Sequence, residues 1–362
     1  MKRIVELDGL RGVLALWVVF YHMCSSLPLV KQIISNTIPF IMEAWFPVDV
    51  FFMMSGFVMM HVYGDQFSTE ISAAKFKHFM LARFARLYPV HFLSLVLLLI
   101  ILLPGLLHSV DFYTTDGRYS IGTFLGSLFL LQGPWILIRT WNYPAWSISA
   151  EWHAYILFPI LILLVNRFGR WGSIFSIVLL TVMVFILYNS DVGNEKYPTN
   201  GLAVILRTIP LFYSGMVLYR LIFENSNNIG LNDWASFFVL IILIIALCGE
   251  RYSSLAVIFV PFLILISLRC GVISRFFSTK PCLFLGKISY SMYMTHALVQ
   301  ALVLVKLPNL LAKRHILQFP SHVLFSQILF YMLSILLAIF FGWLTCRFVE
   351  MPIRKRLIKF FG

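Results

Sequence analysis

The first apolar run of this sequence carries ionisable side chains in an unusual pattern. Arg11 and His22 occur in LDGLRGVLALWVVFYH, preceded by Asp8. Eleven helical residues make about three turns and rise roughly 16 Å, so Arg11 and His22 would share one helix face. Placing such groups in an apolar span costs free energy, so they normally face a polar cavity. In a cavity, an imidazole can move protons and a guanidinium can bind an anion. The simpler alternatives are snorkelling of Arg11 and a structural hydrogen bond for His22.

Two carboxylates in later apolar runs are expected at the depth of His22. Asp49 opens the run FPVDVFFMMSGF, and Glu151 follows a plausible N-cap, Ser147, with Tyr155 on the same face. A carboxylate beside an imidazole fixes its tautomer and raises its basicity. We therefore predict His22, Asp49 and Glu151 as a catalytic set. The alternatives are an Asp49 that stabilises a helix start and a purely structural Glu151.

A pair of arginines and two polar patterns complete the candidates. Arg83 and Arg86 are three residues apart on one predicted helix face and could together bind a phosphate, although they could also be ordinary interfacial charge. The Ser55-Gly56 pair favours close helix packing. The polar face of the ninth apolar run is interpreted mainly as a contact between helices; its members are Ser289, Tyr293 and His296.

Composition defines the elements that must position these residues. The chain has 362 residues, 60% of them hydrophobic and only 12% charged, with a mean hydropathy of +0.89. Soluble domains contain about 25% charged residues, so an all-α polytopic membrane protein is predicted, and disordered chains and secreted disulfide scaffolds are excluded. The five scattered cysteines show no metal-binding spacing, and no metal cofactor is expected.

Ten apolar runs are long enough, or nearly so, to be transmembrane helices. They cover about 10–29, 45–63, 89–107, 147–165, 171–189, 201–219, 234–248, 255–268, 286–305 and 323–346. With ten spans and a cytoplasmic N-terminus, 19 of the 28 basic residues fall inside. An eleventh span at 121–138 would divide them evenly, which the positive-inside rule disfavours. Both termini are therefore predicted to be cytoplasmic, and 121–138 is predicted to be re-entrant or interfacial on the outer side. The net charge of +13 is interpreted as a consequence of this topology and not as a sign of nucleic-acid binding.

The chain resembles the acyltransferase-3 family, membrane proteins that O-acylate bacterial surface glycans. The resemblance runs from about Ile4 to Arg356 and rests on six ordered blocks. These are LDGLRGVLALWVVFYH, VDVFFMMSGF, RFARLYP, WSISAEWHAY, LGKISYSMYMTH and VEMPIRKRL. The family's Arg-x10-His signature falls on Arg11 and His22, and its R-x-x-R pair falls on Arg83 and Arg86. Its W-S-x-x-x-E block ends at Glu151, but Trp152 follows where relatives often have a second carboxylate.

The resemblance implies acyl transfer through the bacterial inner membrane. The donor would be cytoplasmic acyl-CoA, usually acetyl-CoA, with Arg11, Arg83 and Arg86 as its binding residues, and the acceptor a hydroxyl of an extracytoplasmic glycan such as lipopolysaccharide. His22 would act as general base or carry the acyl group itself. Because the sequence ends at Gly362, soon after its last apolar run, we expect one membrane domain over 1–362, without the hydrolase-like domain that some relatives add.

Two other functions are compatible with a polytopic chain. A secondary transporter of an acyl compound or lipid-linked sugar would show inverted repeats or broken midplane helices, and neither is evident in the sequence. A glycosyltransferase using a polyprenyl-phosphate sugar would need a lipid-phosphate site and no acyl-CoA. Acceptor choice is assigned to the outer loops, 108–146 and 306–322.

Overall fold

The protein is a bundle of helices. The computed structural model describes residues 3–67, 70–108, 117–190, 195–223, 232–249, 251–308 and 323–361, and none of these lies in a strand. The α-helices, in chain order, are α1 Val5–Ser25, α2 Pro28–Thr37, α3 Trp45–Phe67, α4 Ala73–His108, α5 Ile121–Leu128, α6 Trp146–Val165, α7 Arg170–Tyr188, α8 Leu202–Phe223, α9 Asp233–Cys248, α10 Val260–Arg269, α11 Gly271–Phe277, α12 Lys280–Val299, α13 Leu324–Thr345 and α14 Met351–Phe361.

Short turns of other helix types extend several of these elements. Tyr143–Ala145 forms a 3₁₀ turn before α6, and Ser253–Phe259 forms one before α10. Pro39–Met42 forms a 3₁₀ turn before α3. The π-helical segments Gln300–Lys306 and Cys346–Glu350 follow α12 and α13.

The all-α polytopic class is confirmed, although fewer than ten helices of the described residues meet the length and composition expected of a span. Among the described residues, seven helices are long and apolar enough to cross a membrane, or eight if α10 and its 3₁₀ turn are counted with α11, which is bent from them by 86°. Helix α9 has only 16 residues. Helix α12 has 20 residues but is not among the seven, since polar side chains interrupt its apolar sequence.

The 121–138 segment contains no helix long enough to span the membrane. Its only helix, α5, has eight residues and is capped by Ser120, whose hydroxyl accepts from the Thr123 amide. Eight residues rise about 12 Å, less than half the bilayer core. The chain then turns back through Leu130 and Gly133, both at positive φ. This agrees with the expectation that the segment does not cross.

Glycines bring the helices that carry the candidate residues into backbone contact. A Cβ on Gly286 of α12 would lie 2.1 Å from the carbonyl oxygen of Asp8 in α1. A Cβ on Gly56 of α3 would lie 1.8 Å from the carbonyl oxygen of Phe212 in α8. Only glycine permits these approaches, and the packing interpretation of Ser55-Gly56 is confirmed at Gly56.

Candidate active site

A cavity of about 670 Å³ lies among α1, α3, α4, α6, α12 and α14. Its volume is in the range of pockets that hold small ligands and cofactors. Six of the described residues that line it are cationic and three are acidic, namely Arg3, Arg11, Arg83, Arg86, Lys287 and Arg354 against Asp8, Glu151 and Glu350. All three predicted donor-binding arginines therefore line one cavity. The excess of positive charge suits an anionic ligand.

The two arginines of the R-x-x-R pair have different partners. Arg86 forms an ion pair with Glu350, whose side chain is 2% exposed. Ser291 donates to the other oxygen of Glu350 at 2.6 Å. Arg83 donates to the Tyr63 hydroxyl at 2.9 Å, while its Nε is buried with no hydrogen-bond partner. Arg83 therefore has a buried N–H left for a ligand, while the charge of Arg86 is largely neutralised by Glu350.

Arg11 and Glu151 both line the cavity. Arg11 pairs with Asp8 one helical turn earlier, at 3.2 Å. Glu151 accepts hydrogen bonds from Ser55 and from Tyr155, its predicted neighbour on the helix face. No described hydrogen bond joins Glu151 to His22. The role of Glu151 as a partner of His22 stays a prediction.

His22 lies just beyond the cavity, in a group of aromatic rings. Its Nδ1 is 2.9 Å from the carbonyl oxygen of Val18, one turn earlier. Because a carbonyl only accepts, Nδ1 carries the hydrogen and Nε2 carries the free lone pair. The ring centroids of Tyr21, Tyr143 and His296 each lie 4.9 Å from that of His22. His22 thus presents Nε2 as a base, although it is not among the residues that line the cavity.

Asp49 has partners other than His22 among the described residues, and its predicted catalytic role stays a prediction. Asp49 is fully buried and accepts from Arg207 Nε at 2.7 Å and from the Tyr188 hydroxyl. Arg207 is also fully buried, and its other nitrogens donate to the carbonyls of Pro198 and Trp45 at 2.9 and 3.1 Å. A buried guanidinium is a stronger partner for a carboxylate than a neutral imidazole is, because each ion offsets the desolvation of the other. Asp49 therefore links α3 to α8.

Several residues near His22 were not in the predicted catalytic set. Ser147 is not the N-cap of α6, which begins at Trp146; its hydroxyl bonds the Pro144 carbonyl at 3.1 Å and the Tyr293 hydroxyl at 2.9 Å. Tyr293 lines the cavity and lies 5.7 Å, centroid to centroid, from His296. The polar face of α12 was visible in the sequence, but its contact with His22 depends on how α1 and α12 pack.

These features define a polytopic membrane protein with a cationic cavity that ends beside a histidine site. The model of the acyltransferase-3 family, described as an acyltransferase domain, matches residues 4–347. The chain therefore belongs to this family and is a multi-pass membrane protein. No solved structure is significantly similar to it.

Three curated proteins illustrate what the chain is similar to. A Staphylococcus aureus (strain COL) protein named "Putative O-acetyltransferase" is 27% identical over 99% of this chain and 58% of its own length. The peptidoglycan O-acetyltransferase of Listeria monocytogenes is 23% identical over 98% of the chain and 56% of its own length. A picA-locus protein of Rhizobium radiobacter is 31% identical over 48% of the chain and 84% of its own length. The chain thus spans just over half the length of the first two.

Proposed function

We propose that this protein transfers an acyl group, acetyl by preference, from acyl-CoA to a hydroxyl of a cell-surface glycan. The observation that carries the proposal is the cavity itself, which is lined by several cationic side chains and by Tyr293. The Tyr293 ring contacts His296, whose ring contacts His22. The names of the relatives support O-acetyl transfer, and one of them names peptidoglycan as its acceptor. In a bacterium the protein would lie in the inner membrane.

The donor would bind with its phosphates among the cavity arginines. Arg83 offers an unpartnered Nε, and Arg3, Lys287 and Arg354 add positive charge to the same cavity. Arg11 lies on the α1 face that leads towards His22, where it would hold the pyrophosphate or the pantetheine arm. The start of α1 and helix α14 both border this cavity, which supports a cytoplasmic donor site under the predicted topology.

Transfer would take place at His22. The acceptor hydroxyl would give its proton to Nε2 of His22 while its oxygen attacks the thioester carbon. Tyr293 lines the cavity, is hydrogen-bonded to Ser147 at 2.9 Å and contacts the His296 ring. Rotation of the Tyr293 side chain would join the donor cavity to the histidine site, so we assign Tyr293 the role of a gate for the thioester.

A direct assay tests the proposed function. Purified protein in lipid nanodiscs, supplied with acetyl-CoA and peptidoglycan or lipopolysaccharide fragments, should release free CoA thiol only when an acceptor glycan is present. Mass spectrometry should show one acetyl group per modified sugar. Flux of labelled acetyl-CoA into vesicles without thioester consumption would instead favour transport and would contradict the proposal.

The different partners of Arg83 and Arg86 predict different consequences of their removal. For Arg83→Ala we expect the KM for acyl-CoA to rise about 10- to 100-fold, because one or two charge-assisted hydrogen bonds to the donor would be lost. Tm should change little. Arg86→Ala should instead lower Tm, because it leaves Glu350 buried without its cation.

Steady-state kinetics and thermal unfolding in nanodiscs check both expectations. Arg275→Ala serves as the control, since Arg275 is outside the cavity and its Nε bonds only the Gly271 carbonyl of its own helix. An unchanged donor KM in Arg83→Ala would remove Arg83 from the donor site.

A further inference from the structure

Two histidines from distant parts of the chain meet ring to ring at the proposed transfer site. His22 of α1 and His296 of α12 have ring centroids 4.9 Å apart and ring planes inclined by 37°. Each ring is fixed by its own helix, since Nδ1 of His22 lies 2.9 Å from the Val18 carbonyl and Nδ1 of His296 lies 2.6 Å from the Tyr293 carbonyl. The contact is therefore between two pre-oriented imidazoles.

The hydrogen bonds of the two rings define their tautomers. Both Nδ1 atoms face carbonyl oxygens, which only accept, so both carry a hydrogen and both Nε2 atoms carry a lone pair. Nε2 of His296 is buried and has no hydrogen-bond partner, and His296 is fully buried. This lone pair is available to a proton donor, and the His22 ring lies 4.9 Å away, centroid to centroid.

We propose that His296 shares the proton that His22 takes from the acceptor hydroxyl, as the second nitrogen of an Nε2–H···Nε2 pair. This inference rests on the proposed function and deepens it. A nitrogen-to-nitrogen hydrogen bond of about 3 Å places imidazole centroids about 5 Å apart. The observed separation of 4.9 Å therefore allows this bond to form once the two Nε2 atoms turn towards each other on protonation. His296 is thus a positioning residue that acts through His22.

The transfer step balances with this pair. The acceptor O–H bond breaks and an acyl C–O bond forms, while the C–S bond of the thioester breaks and CoA leaves as a thiolate. The hydroxyl proton moves to Nε2 of His22 and hydrogen-bonds to Nε2 of His296. It then passes to the thiolate, which leaves as free CoA thiol with both histidines neutral again.

The surroundings explain why a neutral second base is needed. Tyr21, Tyr143 and Tyr293 pack their rings against the pair. Arg139 interacts electrostatically with His22, and a cation opposes an imidazolium. Asp49, which was predicted to stabilise the His22 imidazolium, forms an ion pair with Arg207. When the two imidazoles share the proton, its positive charge is distributed over both rings, and no carboxylate is needed to stabilise it.

Replacing His296 with asparagine is the discriminating experiment. The asparagine amide can still donate to the Tyr293 carbonyl, but nothing replaces Nε2. For His296→Asn we expect kcat to fall at least about tenfold, which is less than the fall expected on removing a positioned base itself. The KM for acetyl-CoA and Tm should change little. His91→Gln is the matched control, because His91 is also buried with one unpartnered ring nitrogen and its Nε2 contact to the Ser127 carbonyl can be kept by glutamine.

The outcomes separate this inference from the proposed function. If wild-type protein acetylates a glycan and His296→Asn has wild-type kcat, the shared proton is refuted and the proposed function stands. If wild-type protein consumes no acyl-CoA with any glycan, the proposed function itself fails.

A measurement on the wild-type protein covers the case in which His296→Asn does not fold. In ¹⁵N-histidine-labelled protein, NMR titration should show one proton shared by the two rings, with Tyr21, Tyr143, Tyr293 and Arg139 as the facing groups. Independent protonation of each ring would overturn the pair.

Discussion

The variant His22→Ala is expected to lower kcat for glycan acylation by about 10²- to 10⁴-fold, the usual contribution of a positioned general base. The cause is the loss of Nε2, the ring nitrogen that the Val18 hydrogen bond leaves available for the acceptor proton. The donor KM should change little, because His22 does not line the cationic cavity. Tm should also be nearly unchanged, because the described hydrogen bond of the ring is to its own helix.

Kinetics on purified protein, with membrane accumulation measured in parallel, check this expectation. His153→Ala is a close control, because Nδ1 of His153 also bonds the carbonyl four residues earlier, that of Ser149, at 2.7 Å. His153 is not a cavity residue, and its removal should leave kcat unchanged. Normal acylation by His22→Ala would refute the general-base mechanism and would equally refute an acyl-histidine intermediate.

The variant Asp49→Ala is expected to destabilise the protein by about 3–5 kcal/mol, because Arg207 would remain as a buried cation without its counter-ion. Both side chains are 0% exposed, so water cannot take the place of the lost carboxylate. The loss should appear as a large fall in Tm, or as failure to accumulate in the membrane. A catalytic Asp49 would instead give a folded protein of low activity.

The double variant Asp49→Leu with Arg207→Met separates the two roles. Apolar residues of similar volume often replace a buried ion pair at little cost, so the double variant should recover much of the Tm and also the acylation activity. A folded but inactive double variant would restore the catalytic role predicted for Asp49. Glu195→Ala is the control for Tm, because the Arg139–Glu195 pair, at 3.6 Å, is partly exposed to solvent and should contribute at most about 1 kcal/mol.

The helices and most of the candidate side chains could be predicted from the hydropathy of the sequence. Apolar runs of about 20 residues can only be membrane helices or deeply buried ones, and an ionisable residue within them is too costly to be incidental. Arg11 and Glu151 were found in this way, and Arg83 and Arg86 were found by their three-residue spacing; all four line one cavity. The span count was less accessible, because marginal helices such as α12 combine length with polar faces. Of the outer loops assigned to acceptor choice, 109–116 and 309–322 lie outside the described residues.

The pairing of these side chains could not be read from the sequence. Asp49 bonds Arg207, 158 residues away, and Arg86 bonds Glu350, 264 residues away. Helical periodicity assigns a residue to a face but does not say which helix that face meets. Arg207 was not singled out, although it is a charged residue within an apolar run, because no spacing pattern connected it to Asp49.

The sequence by itself determined an all-α membrane protein, its acyltransferase family and the few charged residues that such a protein must use. Each follows from local rules of hydropathy, helical spacing and ordered motifs. The tertiary structure alone decided that Asp49 stabilises the bundle, that Arg83 keeps a free donor while Arg86 is neutralised, and that His22 meets His296 instead of a carboxylate. Those outcomes depend on backbone approach at glycines such as Gly286 and on competition among buried charges, which operate between helices far apart in the chain.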